Sequence, residues 1–318
     1  MKNLSSPINL FKTDCLTLLG QLDDQSVDAI VTDPPYFKVK TDSWDHQWSN
    51  ENTFFEWLDT VAQELARVLK PNGSIYLFCS SHLQHQTETI ISKHFKMLNH
   101  ILWVKKSGKH MGCHPPSLRR YFPQTESILF AEHKKAIKPE RYVCDDVLTY
   151  LQTQWKAAGF KYSDAEKIAG STARHYFSRS QWHMPTKEKY LKLQHKAGRE
   201  FLYMSYEELI SLKSSKQRDK SQLRCFTPPL KADLVNRPHT NIWNFAPVQF
   251  YQGKHSCEKP QALLEHILLS STCENDLVLD VFAGSCSTAK VCLKLNRKFV
   301  GCDLDDQYFE SVTEATPS

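Results

Sequence analysis

The stretch LVLDVFAGSCSTAKVCLKLNRKFVGCDLD, from Leu277 to Asp305, contains a complete strand–turn–helix–strand pattern. The apolar run that ends at Asp280 predicts a buried strand, and the run KFVGCDLD predicts a second one. Between them, a turn of small residues leads into a helix. Apolar strands that are joined through helices form parallel sheets covered on both faces. We therefore predict an α/β fold with a mostly parallel sheet.

The same alternation of strands and helices occupies residues 1–135. The runs INLFKTD, VDAIVTD, SIYLFCS, HILWVKK and ESILFAE predict strands, and apolar residues recur at helical spacing from Phe54 to Leu69. We expect this helix to end at KPNG, because Pro71 cannot continue it and Gly73 suits a left-handed cap.

Residues 136–235 differ from both flanks. Their patterns are mainly helical, and KSSKQRDKSQ (213–222) is a polar linker. They contain 18 Lys and Arg against 11 Asp and Glu, whereas the rest of the chain has 22 against 24. A basic segment in an otherwise balanced chain favours a polyanionic partner. We predict one α/β domain, built from residues 1–135 and 236–318, that is interrupted by a helical, basic insert.

The composition excludes several classes of protein. With 41% hydrophobic and 24% charged residues, the chain is typical of globular proteins. No apolar run approaches the ~20 residues that span a bilayer, and we expect no secretory signal, because the first residues have no apolar core followed by a cleavage site. The ten cysteines are scattered and form no C-x-x-C pair. We expect a reduced cytoplasmic protein without a metal site and without membrane association.

The turn after Asp280 is typical of a nucleotide-type cofactor pocket. Gly284 and Ser285 would let a ligand approach the backbone. Asp303, at the end of the next strand, would offer an acceptor to ribose hydroxyls. A buried turn can also carry glycine for packing alone, so this pattern leaves both interpretations open.

A second polar cluster, Asp33-Pro34-Pro35-Tyr36, follows the strand VDAIVTD. Prolines end strands readily, because they lack a backbone donor and have a fixed φ. That property explains the two prolines. It does not explain why an acid precedes them and an aromatic ring follows them.

Together these stretches resemble the DNA amino-methyltransferases that use S-adenosylmethionine, whose signatures are F-x-G-x-G and [DNS]-P-P-[YFW]. TDPPYF matches the second signature completely, and VFAGSCS matches the first except at Cys286. HSCEKPQALLEHIL (255–268) is similar to the HPxEKP element of the family, with Ser256 replacing its proline. Cys286 fits the turn readily if its φ is negative, since glycine is required only where φ is positive.

The order of the motifs resembles the permuted β group of that family, because the catalytic motif precedes the cofactor motif. The resemblance covers residues 7–135 and 240–312. It implies a Rossmann-like sheet with circularly permuted motif order, in which residues 136–235 are a candidate target-recognition domain.

The resemblance also implies site residues. Asp33 and the Pro34 carbonyl would accept hydrogen bonds from the exocyclic amine and hold it in line with the sulfonium methyl group. Pro35 would fix the backbone, and an exposed Tyr36 would stack on a base flipped out of the duplex. The implied cofactor contacts are Asp14, Cys15, Asp33, Glu258, Lys259, Pro260, Asp280, Phe282, Ala283, Gly284, Ser285 and Asp303.

Two basic segments are candidates for contact with DNA. Residues 162–194 predict a short helix, a turn at Gly170, a second basic helix, and a third helix near Pro185. This resembles a helix-turn-helix unit and the inserts of phage-type adenine methyltransferases, although a helical cap that only stabilises the α/β domain is an alternative. The loop 105–120 is the second segment. The candidate contacts are Lys105, Lys106, Lys109, Arg119, Arg120, Arg174, His175, Arg179, Gln181 and Trp182.

We therefore predict a bacterial or phage-encoded DNA adenine-N6 methyltransferase that uses S-adenosylmethionine and acts on double-stranded DNA. Asp at position 33 favours adenine over N4-cytosine as the target. Methylation of RNA or of a protein amide is also compatible with the motifs, as is a DNA-binding module with an inactive pocket. The sequence leaves open whether the chain forms a homodimer, as members of the family often do, and whether it has a companion restriction nuclease.

Overall fold

The computed structural model describes residues 6–37, 46–105, 119, 121, 124–136, 145–214 and 240–313. The chain divides into two compact units. The α/β unit comprises Met1–Ile137 and Arg224–Ser318, and the helical unit comprises Lys138–Leu223. Within the described residues, no helix is long and apolar enough to cross a membrane.

A single sheet forms the centre of the α/β unit. Its strands are β1 (Ile8–Lys12), β2 (Val27–Thr32), β3 (Leu69–Cys79), β4 (Phe95–Val104), β5 (Thr125–His133), β6 (Ile242–Asn244), β7 (Leu277–Asp280) and β8 (Lys298–Asp303). The helices of this unit are α1 (Cys15–Gln21), α2 (Glu51–Val68), α3 (Gln84–His94), α8 (Gln261–Ser271), α9 (Ser287–Lys294) and α10 (Glu310–Thr313).

The sheet is mostly parallel, and its order is β1-β8-β7-β2-β3-β5-β4-β6. Among the described strands, only β5 is antiparallel to its neighbours, which are β3 and β4. The last two strands of the chain, β7 and β8, lie between β1 and β2, which come first. The predicted Rossmann-like α/β fold with permuted order is therefore confirmed.

Both faces of the sheet are buried, as its apolar strands require. Along β2, Ile30 packs with the helices α1, α2 and α3, whereas the next residue, Val31, packs with α8 and α9. Tyr76 and Leu77 of β3 divide in the same way between the two faces. Side chains alternate across a strand, so a strand that is apolar at every position needs cover on both sides.

The junction between α2 and β3 differs from the sequence prediction. The helix ends at Val68, and β3 begins at once with Leu69 and continues through KPNG. Gly73 is not left-handed, so the prediction of a left-handed cap is wrong. A Cβ at Gly73 would lie 2.8 Å from the backbone oxygen of Asp28, so glycine is required here by the close approach of β2.

Cys286 also differs from expectation. Its φ is +59°, in the left-handed region, so the turn does not meet the condition of a negative φ under which cysteine fits readily. A residue with a Cβ adopts this conformation at a cost of roughly 1–2 kcal/mol. Cys286 is fully buried in the apolar cluster beneath α8 and α9. Burial of this side chain offsets part of that cost.

The helical unit has an apolar core of its own. Its α-helices are α4 (Asp145–Ala157), α5 (Asp164–Ala169), α6 (Lys187–Ala197) and α7 (Tyr206–Ser214). Trp155 is fully buried and stacks on Phe160 with their ring centroids 4.8 Å apart. A core of this kind is what an independently folding domain needs.

The second helix predicted in the insert is not an α-helix. After the turn at Gly170, residues Ala173–Phe177 form a five-residue 3₁₀ helix. Tyr176 and Phe177 are buried in the core, which explains why this segment turns tightly instead of forming an exposed helix. A single 3₁₀ turn is too short to lie along a major groove, so the helix-turn-helix prediction is wrong.

Candidate active site

A cleft of about 860 Å³ opens in the α/β unit at the carboxyl edge of the sheet. Residues 33–36 follow β2, and residues 282–285 follow β7. These two strands pair directly, with Ala29 opposite Val278 and Ile30 opposite Leu279. Residues 13–15, which follow β1, and Asp303, which ends β8, line the same cleft. The permuted strand order thus brings together motifs that are distant in sequence.

The turn after β7 is held by the end of β8. The backbone N–H of Gly284 donates to Asp303 Oδ2 at 2.8 Å, and the N–H of Asp305 donates to Oδ1 at 3.1 Å. Gly284 has a φ of +45°, and a Cβ there would lie 3.2 Å from Cε1 of His255. Both the backbone conformation and the contact with His255 therefore favour glycine at this position.

Asp280 is a buried carboxylate at the base of the cleft. It accepts hydrogen bonds from the hydroxyls of Thr32 and Thr288, each at 2.9 Å, and from the N–H of Phe282 at 3.2 Å. Burial raises the pKa of Asp280 to about 7, although these three donors oppose that shift. The carboxylate connects β7, β2 and α9.

Asp33 is mostly buried, and both of its carboxylate oxygens have partners. Oδ1 accepts a hydrogen bond from the Tyr36 hydroxyl, and Oδ2 forms an ion pair with Lys259 Nζ. Burial raises the pKa of Asp33, and the positive charge of Lys259 opposes this. Lys259 also forms an ion pair with Glu126, and its two ion pairs raise the pKa of Lys259 against the effect of burial.

Glu126 is a residue of this site that the sequence analysis did not identify. Its side chain is 13% exposed, and its Oε1 lies 3.0 Å from both Lys259 Nζ and the Tyr36 hydroxyl. Its Oε2 pairs with Lys105 Nζ at 2.7 Å. Burial opposes ionisation, but the two lysines lower the pKa of Glu126 to about 2. An acid near the start of the buried strand ESILFAE was the one available signal.

Aromatic rings on the cleft wall were also missed. Trp48 and Trp57 line the cleft, and their ring centroids lie 4.6 Å apart. Trp57 contacts Phe282 of the turn after β7, at 5.7 Å between centroids. Trp48 lies beyond the DPPY motif in sequence, and nothing in its spacing indicates that it faces a pocket. These rings give the cleft an apolar wall.

Most of the expected cofactor contacts line the cleft, but two of them do not. Asp14, Cys15, Asp280, Phe282, Ala283, Gly284, Ser285 and Asp303 all line the cleft. Lys259 also lines it, but its ammonium group pairs with Asp33 and Glu126. Glu258 and Pro260 do not line the cleft: Glu258 accepts a hydrogen bond from the Tyr251 hydroxyl at 2.6 Å, and Pro260 precedes α8 as its cap. A contact of these two residues with the cofactor stays a prediction.

The exposed position expected for Tyr36 is also wrong. Its ring is partly buried, and its hydroxyl donates toward both Asp33 and Glu126. The polar end of the side chain is therefore committed to the two carboxylates. Tyr36 links the acid of its own motif to the acid of β5.

The candidate DNA contacts fall into three groups. Lys106, Lys109 and Arg120 lie outside the described residues. Trp182 is only 6% exposed within the helical core, so its prediction as a DNA contact is wrong. Lys105 pairs with Glu126 and lies over the Trp103 ring at 4.8 Å, and its contact with DNA stays a prediction. His175 is partly buried, whereas Arg119, Arg174, Arg179 and Gln181 are exposed.

The sequence profile of the N6/N4 DNA methylases matches residues 27–314. The chain belongs to the N6/N4 DNA methylase family. This match includes both the DPPY motif and the turn after β7, so the resemblance drawn from the motifs is confirmed.

Curated relatives of this methylase extend over most of its length. It is 26% identical to the type II methyltransferase M2.LlaDCHI of Lactococcus lactis subsp. cremoris, over 95% of this chain and 86% of that protein. It is also 26% identical to M1.MboII of Moraxella bovis, over 94% of this chain and 92% of that protein. The DNA adenine methyltransferase YhdJ of Escherichia coli (strain K12) is 25% identical, over 93% of this chain and 78% of that protein.

Solved structures share the fold of the methylase. The M1.HpyAVI–SAM complex superposes with a TM-score of 0.51 and 21% identity, over 97% of this chain and 100% of that chain. The PvuII DNA methyltransferase, which is cytosine-N4-specific, superposes with a TM-score of 0.57 and 12% identity, over 98% of this chain and 87% of that chain. At these identities the likeness concerns the fold alone.

Asp280→Asn tests the burial of this carboxylate. Because burial raises the pKa of Asp280 above its value of about 4 in an unfolded chain, ionisation destabilises the folded state as the pH rises from about 4 to about 7. The asparagine side chain does not ionise, so the variant does not lose this stability. The difference in Tm, variant minus wild type, should therefore grow with pH across that window and level off above about pH 8. Thermal melting at a series of pH values measures it, and a difference that stays flat across the window would contradict the assignment.

Proposed function

We propose that this methylase transfers a methyl group from S-adenosylmethionine to the exocyclic N6 of adenine in double-stranded DNA. The observation that carries this proposal is the shared cleft of residues 33–36 and 282–285, at the ends of the paired strands β2 and β7. A methyl donor bound at one turn and an amine bound at the other would be neighbours, as an in-line transfer requires.

The residues of the cleft fit this cofactor. Small-ligand sites usually enclose ~300–1,000 Å³, so about 860 Å³ accommodates S-adenosylmethionine with space beside it for a base. Asp303 would accept hydrogen bonds from the ribose hydroxyls, and Asp280 would face the cationic amino group. Trp57 and Phe282 would pack against the adenine ring of the cofactor. When bound, S-adenosylmethionine supplies an electrophilic methyl group on a sulfonium.

The DPPY residues would prepare the amine. Its nitrogen is a poor nucleophile, because the lone pair is delocalised into the ring. Asp33 and the Pro34 carbonyl would accept its two hydrogens and direct the nitrogen at the methyl group. A carboxylate oxygen can accept more than one hydrogen bond, so Asp33 can hold the amine while keeping Tyr36 and Lys259.

Adenine is favoured over cytosine by Asp33 in the motif and by the relative YhdJ, which is named a DNA adenine methyltransferase. N4-cytosine is the second candidate, since the cytosine-N4-specific PvuII enzyme has the same fold. Methylation of RNA or of a protein amide is less well supported, because the matching family is one of DNA methylases and YhdJ acts on DNA.

Contact with the duplex would come from exposed basic residues. In the helical unit, Arg174, Arg179 and Gln181 are exposed, and residues 145–214 contain eleven Lys and Arg against eight Asp and Glu. Arg119 is exposed on the α/β unit. A base within a duplex reaches such a cleft by flipping out of the stack, which we include in the proposal.

The assembly and cellular setting stay predictions. Type II methyltransferases such as M2.LlaDCHI and M1.MboII are relatives by sequence, and we keep a companion restriction nuclease and a homodimer as proposals for this chain. A cytoplasmic location, where a bacterial or phage DNA substrate lies, belongs to the same proposal.

Asp33→Ala should abolish most of the methyl transfer. The loss of one preorganised acceptor should lower turnover by roughly 10²–10³-fold, while the Kd for S-adenosylmethionine stays within about twofold. Asp33→Asn keeps one acceptor oxygen and should retain more turnover. Transfer of labelled methyl groups to DNA, together with calorimetry of cofactor binding, measures both effects.

Asp28→Asn is the matched control for Asp33, because Asp28 lies on β2, the strand that Asp33 follows, and also pairs with a lysine, Lys70, at 2.7 Å. It should cost stability and leave turnover unchanged. Undiminished transfer by Asp33→Ala would remove the proposed role of the motif.

Arg174→Ala with Arg179→Ala tests the helical unit. Each phosphate contact that is lost should flatten the slope of log K against log salt by about 0.9. The control is Lys294→Ala, since Arg174 and Lys294 have equal side-chain exposure, 61%, and each pairs with a glutamate. DNA binding across a salt series measures the slope. A lower Tm with an unchanged slope would indicate a helical cap and contradict DNA contact by these arginines.

A further inference from the structure

Two carboxylates share one lysine beside the cleft. Lys259 Nζ pairs with Asp33 Oδ2 and lies 3.0 Å from Glu126 Oε1. Its side chain is only 10% exposed, and its ammonium group also lies 4.8 Å from the centre of the Phe78 ring. The three charged residues come from the end of β2, from β5 and from the segment before α8, so the tertiary fold alone creates this group.

Tyr36 forms a second connection between the same two acids. Its hydroxyl contacts Asp33 Oδ1 and Glu126 Oε1, so Glu126 reaches Asp33 by one neutral and one charged bridge. Lys105 neutralises the other oxygen of Glu126. Every oxygen of both carboxylates therefore has a donor. Such an arrangement fixes the rotamers of all its members, because moving one leaves a buried charge without its partner.

Stability alone does not account for this arrangement. Buried ion pairs can often be replaced by apolar residues of similar volume at no cost in stability. This one instead surrounds Asp33, the acid that receives the substrate amine in the proposed function. The position of the ion pairs around Asp33 therefore indicates a role in the reaction rather than in stability alone.

The charged and titratable groups that face Asp33 come from several elements. Tyr36 lies on its own turn, Lys259 on the segment before α8, Glu126 on β5, Asp280 on β7 and Cys79 on β3. After burial, Lys259 acts most strongly on Asp33 and lowers its pKa, and Glu126 acts in the opposite direction. Because the two carboxylates compete for one lysine, Asp33 is not fully neutralised by it.

We propose that Glu126 is a positioning residue for methyl transfer, which acts on Asp33 through Lys259 and Tyr36. The inference rests on the proposed function. In that reaction the N6–C bond forms, the S–C bond breaks with its electron pair leaving on sulfur, and N6 releases one proton. Asp33 is placed to receive that proton and pass it to solvent. Glu126 holds the Asp33 carboxylate toward the amine and keeps it able to accept the proton.

Glu126→Gln tests the proposal by kinetics. Turnover should fall roughly 10–100-fold, by analogy with the loss seen when a residue that orients a metal ligand is removed. The Kd for S-adenosylmethionine should change by less than about twofold. Without the negative charge of Glu126, Lys259 serves Asp33 alone, so the pKa of Asp33 falls. The acid limb of turnover against pH should therefore move to lower pH, which a purely structural role would not cause.

Glu132→Gln is the matched control. Glu132 lies on the same strand, β5, its side chain is 10% exposed, and it pairs with Lys96 Nζ at 2.6 Å. It therefore also loses an ion pair with a lysine, but that lysine is 49% exposed and is not the one that pairs with Asp33. It should lower the Tm and leave both turnover and the pH profile unchanged.

A double-mutant cycle supplies a second readout that needs no activity. Asp33→Asn and Glu126→Gln should be non-additive in Tm by about 2–4 °C, because the two residues share partners. Asp33→Asn and Glu132→Gln should be additive. Additivity in the first cycle would overturn the coupling of Glu126 to Asp33.

The outcomes separate the inference from the proposed function. If the wild type methylates DNA and Glu126→Gln matches it in turnover and pH profile, the inference fails and the function stands. If the wild type methylates no DNA, the proposed function fails, and the double-mutant cycle still decides whether Glu126 acts on Asp33. If Glu126→Gln does not fold, Glu126→Asp keeps the buried charge but withdraws it from Tyr36 and Lys259. Turnover equal to that of the wild type in this folded variant would overturn the inference.

Discussion

The pairing of β2 with β7 is the constraint on which the site depends. A buried hydrogen bond of 2.9 Å joins Thr32 at the end of one strand to Asp280 at the end of the other, across 248 positions of sequence. Parallel strands deliver their carboxyl ends to one edge, so the segments that follow them must meet there. The turn with Gly284 and the DPPY motif become one site for this reason. Neither segment forms a cleft without the other.

The electrostatic environment of each buried acid determines its ionisation in the site. Three acids, Asp33, Glu126 and Asp280, are mostly or fully buried around one cleft, where isolated charges would be strongly destabilising. The structure treats them differently. Lysines keep Glu126 ionised, burial raises the pKa of Asp280 to about 7, and Asp33 shares a lysine with a competing acid. Different environments for similar groups are a usual way of giving them different roles in catalysis.

Periodicity and motif spacing predict most of the α/β unit, because apolar strands and amphipathic helices leave strong local signals. The acids at the ends of β2, β7 and β8 were also predictable, since strand ends define the edge of a parallel sheet. Glu126 was not. It reaches the site only because β5 runs antiparallel between β3 and β4, and nothing local in ESILFAE reveals that direction.

Other differences have the same origin in tertiary contacts. Trp182 belongs to an apolar core that its basic neighbours conceal in the sequence. Gly73 is needed because Asp28 of another strand lies close to it, and the requirement cannot be seen from its own turn. Cys286 keeps a left-handed backbone although glycine would do so at lower cost, because its side chain packs beneath two helices.

The identity of the methylated base tests the central claim most directly. Duplex DNA that contains many sequence contexts would be incubated with the protein and isotopically labelled S-adenosylmethionine, then digested to nucleosides and analysed by mass spectrometry. The account predicts label in N6-methyladenine, which falls roughly 10²–10³-fold with Asp33→Ala. Label in N4-methylcytosine, or in no nucleoside at all, would contradict it.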